Sequence, residues 1–195
     1  MRALVAFGEI GITAKSRDFL FRPSLYSMSL LDDAVKSFAD IHAPAGNREI
    51  EHARFLASVE VLQVCIDEDI AELVGQTGSK PGRWMPGLIN PQKIIILASA
   101  LIRHGLVGPQ IDDENLDAPK KEYAEKFEPA GIVAMAIAHL GMSEQQAWDM
   151  TVTGFVMAMR AKFPPPPRTR PTLKEFDSMM EWLDKVNAAE KAQKR

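Results

Sequence analysis

Four histidines and one cysteine are the side chains of this 195-residue chain best suited to ligating a metal or attacking a substrate. His42, His52, His104 and His139 stand apart from one another and from Cys65, with no pair four residues apart, so a metal site requires distant segments to converge. GQTGSK at 75–80 has the composition of a phosphate-binding loop. Such a loop needs four residues between its glycines, then Gly-Lys-Ser or Gly-Lys-Thr after a strand, and here serine precedes lysine and a helix precedes the glycine. A flexible turn is the better reading. Carboxylates gather at DEDIAE (67–72) and DDEN (112–115), where pairs can hold a divalent ion or work as acid and base, yet neither fits a calcium loop. Asp67, Glu68 and Glu72 read as a solvated helix face. No serine or cysteine occupies a nucleophile elbow, and no glycine-rich dinucleotide fingerprint follows a strand. The expectation is a protein with no catalytic residue, no cofactor and no metal.

Composition narrows the partners. Apolar residues make up 46% and charged residues 25%, as in an ordinary globular domain, and the length suits a single folding unit with at most a small appendage. The net charge of -3 offers no general attraction to nucleic-acid phosphates. Cys65 lies in the apolar run EVLQVCIDEDI, where a cysteine packs as a small hydrophobe, and a lone cysteine cannot form an internal disulfide. The opening MRALVAFGEIGITAKS, broken by Gly8 and Glu9, is too weak for a signal peptide, and no run reaches membrane-span length. A cytoplasmic protein that binds neither nucleic acid nor membrane is expected.

The elements that would position a site are mainly helices. ALVAFGEIGIT (3–13) and FLFR (19–22) flank the polar KSRD and predict a β-hairpin ended by Pro23. Ser24 can cap a helix from about Leu25 in which Leu25, Met28, Leu31, Val35 and Phe38 recur at helical intervals. After APAG (43–46), Asn47 caps a long helix predicted over Arg48 to Leu73. GQTGSKPGRWMPG (75–87) predicts a loop, and Pro91 opens an almost uniformly apolar, buried helix. Residues 108–127 are charged and read as an exposed connection. Helices resume over 129–140, closed by Gly141; Ser143 and Gln146 form a capping box; Thr151 caps a short helix to Phe163. The fold class is therefore mainly α: a helical domain (1–163) with a small N-terminal β-hairpin, a proline-rich spacer (164–171) and a C-terminal amphipathic helix with a frayed tail (172–195).

One stretch raises a functional question. SEQQAWDMTVTGFVMAMRAKFPPPP (143–167) joins a tryptophan, methionines and phenylalanines to a run of prolines, and Phe155, Met159 and Phe163 fall four apart. Core packing explains such a stripe most simply. The alternative is an adaptable surface, because thioether and aromatic side chains reshape themselves around amphipathic helices.

The run LGMSEQQAWDMTVTGFVMAMRAKFP resembles the Leu-Gly, Ser, Ala-Trp, Met-Thr, Phe and final Lys-x-Pro pattern of tail assembly chaperones and related small tail-module proteins of long-tailed bacteriophages. GEIGI followed by FLFRPSLYSM resembles the hairpin and Arg-Pro-Ser helix start of a phage protein family. Together these cover about two fifths of the chain, with Gly154 departing from the polar or charged residue expected before Phe155. The resemblance implies a chaperone that coats the apolar helical stretches of a tape measure protein in the host cytoplasm until tail tube subunits polymerise, with the tail tube protein as a second contact and a homo-oligomer as the working form. It implies Trp148, Met150, Phe155 and Met159 as groove residues. Helical spacing adds Phe176, Met180 and Leu183, either as a second partner-binding set or as a helix that folds back over the groove until a client displaces it. The competing classes are a structural phage component, such as a connector or tail terminator, and a small helical enzyme.

Overall fold

The computed structural model describes residues 3–44, 46–77, 84–109, 126–164, 177–178 and 180–183. Its architecture is mainly α with a small N-terminal antiparallel hairpin. The chain forms two compact units, Met1–Phe163 and Pro164–Arg195.

In the first unit, Val5–Phe7 form a single 3-10 turn, and strands β1 (Ile10–Ala14) and β2 (Arg17–Phe21) pair antiparallel with Ile10 opposite Phe21 and Ile12 opposite Phe19. The first strand therefore starts seven residues later than the sequence predicts. Gly8 takes φ +87, and the chain there runs so close to His104 that a Cβ would lie 2.4 Å from the histidine's own Cβ. Lys15 and Ser16, at φ 45 and 65, make the left-handed two-residue turn whose twist matches the strands.

Two long helices expected from periodicity are each broken by aspartates. The first divides into α1 (Leu25–Ser29) and α2 (Ala34–His42), because the Asp33 carboxylate accepts from the Lys36 amide and starts a new helix. The second divides into α3 (Arg48–Val64) and α4 (Ala71–Val74), with Asp69 accepting from the Ala71 amide at 2.8 Å. Between them the Cys65 carbonyl accepts from the Arg22 amide at 2.7 Å, so the hairpin occupies the place where α3 would continue. Glu68 and Glu72 then pair with Arg17 and Lys15 of the hairpin rather than facing solvent alone.

The expected loop at 75–87 contains a second small hairpin, β3 (Gly75–Thr77) with β4 (Trp84–Pro86). Helix α5 (Pro91–Ile102) buries Ile94, Ile95, Ala98, Leu101 and Ile102, although Ile96 is 66% exposed, so the helix is not buried all round. It ends in a π turn, Arg103–Val107. Helix α6 (Pro129–Met135) ends in a second π turn, Ala136–Leu140, closed by Gly141 at φ 69. Helix α7 (Glu144–Trp148) carries the expected Ser143/Gln146 capping box, and α8 (Val152–Lys162) is capped by Thr151. DDEN (112–115), most of the charged connection and the spacer prolines after Pro164 lie outside the described residues.

Two apolar clusters hold this unit. The larger gathers Phe19 and Phe21 of the hairpin with residues of α1 to α5, including Met28, Val61, Leu62, Leu101 and Ile102. Cys65 is buried within it, and that burial pushes its thiol pKa far up, leaving it protonated and unreactive. The smaller cluster joins Leu25 to α6, α7 and α8 through Val133, Ala136, Ala147, Val152 and Phe155. In the second unit, residues 177–178 and 180–183 are helical, and Met180, Trp182 and Leu183 are exposed.

Candidate binding cleft

The start of α8 is the joint on which the candidate site is built. Thr151 accepts from the Gly154 amide at 3.0 Å, capping the helix, and donates its own proton to the Phe7 carbonyl at 2.8 Å. The Leu25 amide donates to the Met150 carbonyl at 2.8 Å, so the starts of α1 and α8 lie side by side. Thr153 donates to the His104 carbonyl, which leaves His104 Nδ1 as the donor in its 2.8 Å contact with the Thr153 hydroxyl. Partial burial, with Arg103 beside it, holds the His104 pKa below its ordinary value of 6.5.

These ties position the N-terminal turn opposite α8. Between them opens a cleft of about 890 Å³. Leu4 and Phe7 form one wall; Leu140, Gly141 and Met142, at the α6 to α7 joint, form the end; Met150, Gly154, Met157 and Ala158 form the other wall. Gly154, the residue that departs from the phage pattern, has a structural reason here: a Cβ would lie 3.3 Å from the Phe7 ring. The missing side chain lets the two walls approach.

The polar part of the cleft is Glu9, Arg22, Gln146, Asp149 and Thr151. Glu9 is only 4% exposed, and its carboxylate accepts from Arg22 Nε at 2.6 Å and from the Leu4 amide at 2.8 Å. A buried carboxylate without such donors would be strongly destabilising, so the pair fixes the N-terminal turn in place. The remaining lining is apolar, with Gly154 buried and Met157 43% exposed. Three methionines and a phenylalanine in one trough give a surface that reshapes itself around apolar side chains.

The structure separates the residues singled out from the sequence. Met150 lines the cleft. Phe155 does not: at 8% exposure it belongs to the smaller cluster, and Met159 and Trp148 pack against that cluster while partly exposed. The i, i+4 stripe of α8 that begins at Phe155 is its core face, whereas Gly154, Met157 and Ala158, three and four apart, face the cleft. Phe163 is exposed, with its ring edge-on to His139 at 5.9 Å. Phe176 lies outside the described residues; Met180 and Leu183, 45% and 44% exposed, are helical in the second unit. Leu4, Phe7, Met142 and Met157 were not foreseen. No local pattern marks them, since Met142 precedes the Ser143 cap, Met150 lies between α7 and α8, and only Met157 is within a helix.

Among the described residues, no group of three or more His, Cys, Asp or Glu is placed to hold a metal, and no helix is long and apolar enough to cross a membrane. A profile for a family of unknown function matches residues 27–178. The chain belongs to that family, DUF6246. The match includes α6, α7 and α8, so in the DUF6246 chain it takes in the methionine wall of the cleft but not the N-terminal turn opposite. No curated protein and no solved structure matches the chain.

Proposed function

We propose that the protein is a phage tail assembly chaperone that binds apolar helical stretches of a tape measure protein and keeps that protein soluble until the tail tube polymerises around it. The observation that supports this reading is the open, methionine-lined cleft beside α8, built by the segment that resembles the tail-chaperone pattern. A long helical chain with exposed apolar stripes aggregates unless many weak sites cover it. A shallow trough lined by flexible thioethers suits this work, because modest affinity per site lets tube subunits displace the copies one at a time. The work makes and breaks no covalent bond, and self-association would multiply the sites.

Co-expression with fragments tiling a tape measure protein tests the proposal. Raised solubility of at least some fragments, lost in Met157→Glu, is the expected result; Met157 already faces solvent, so the substitution leaves the fold intact. No change in solubility for any fragment overturns it. Detection of stoichiometric protein in purified virions would instead identify a structural tail component.

A further inference from the structure

The apolar cleft does not end at bare solvent. Arg22 and Asp149 line it and also line a second groove of about 510 Å³ on their other side. That second groove carries the carboxylates of Asp18, Asp67, Glu68 and Asp149. Among the described residues lining either groove, Arg22 supplies the one Lys or Arg side chain, and its Nε is engaged by buried Glu9. Glu68 is paired with Arg17 at 3.3 Å, while Asp67 and Asp149 are exposed and have no ion-pair partner among the described residues. The molecule thus presents an apolar trough with an acidic groove along one flank.

A helix is about 10 Å across with its side chains. One that lays its apolar face in the trough presents its flank to the neighbouring groove, and the charge there decides which flanks are welcome. We infer that the cleft takes a basic amphipathic helix, with apolar anchors against Met142, Met150 and Met157 and with Lys or Arg side chains over Asp67 and Asp149. The inference rests on the binding role proposed above and adds the polarity of the partner.

Two synthetic amphipathic peptides of about 18 residues, with the same leucine face and either lysine or glutamate on the other face, separate the possibilities by fluorescence anisotropy against the full chain. The lysine peptide is expected to bind about three- to ten-fold more tightly at low salt. The difference should shrink at high salt and also in the Asp67→Asn, Asp149→Asn double variant, while Met157→Asn, which removes an apolar anchor without adding charge, weakens both peptides. Equal binding of both peptides, abolished by Met157→Asn, overturns the charge preference and leaves the chaperone reading standing. Lysine-peptide binding that survives Met157→Asn undiminished overturns the inference as mere surface attraction. Binding of neither peptide overturns both readings. A change of oligomeric state in the double variant, with neither peptide bound, reassigns the surface to a contact between copies.

Discussion

Single side chains in this protein have sharply different duties on neighbouring positions. Gly154 and Phe155 are adjacent, yet one lets the cleft close on Phe7 and the other fills the smaller core. Gly154→Leu should therefore crowd Phe7, costing about 1–3 kcal/mol, and push the N-terminal turn away from α8; urea denaturation and Trp fluorescence would record both. His104 offers a pH test. Its native pKa is lowered by burial first and by Arg103 second, so the unfolded chain binds the proton more readily than the folded one. Stability is full above the unfolded value near 6.5 and declines as pH falls from there through the lower native pKa. Melting temperature should drop across that window, and His104→Gln should flatten the drop. Cys65, buried with a raised thiol pKa, should resist iodoacetamide in the native protein and react once urea unfolds it.

At the scale of elements, caps rather than periodicity decide where helices begin. Asp33 and Asp69 each accept a backbone hydrogen and so divide helices that an apolar pattern alone would run together. The pattern of Leu25, Met28 and Leu31 was legible because those residues are buried, but the break at 30–33 was not, since an aspartate in a helical run can be a surface residue or a new start. The Ser143/Gln146 box was legible because its two reciprocal bonds need only local sequence. Thr151 was legible as a cap but not as the anchor of the N-terminal turn, a contact spanning 144 positions of chain. Thr151→Ala should remove both bonds and cost about 1–2 kcal/mol, measured by urea titration. Thr151→Ser, which keeps the hydroxyl, should retain most of that stability.

For the whole of the first unit, the two cores divide the labour. The larger joins the hairpin to α1 to α5, and the smaller joins α1 to the helices that wall the cleft. Leu101, fully buried in the larger core, should cost about 2–5 kcal/mol when truncated to alanine, seen as a lower denaturation midpoint. The same change should leave peptide affinity of the still-folded protein unaltered, because Leu101 does not line the cleft.

The helix-rich class, the N-terminal hairpin and the caps at Ser24, Asn47, Ser143 and Thr151 follow from local sequence, because each depends on neighbours within a few residues. Which face of α8 meets solvent, and that Leu4 and Phe7 stand across from Met150 and Met157, depended on the tertiary structure. Helical spacing marks two apolar stripes on α8 without ranking them. Only the arrival of α1, α6 and α7 on one stripe, and of the short N-terminal turn beside the other, distinguishes a core from a cleft.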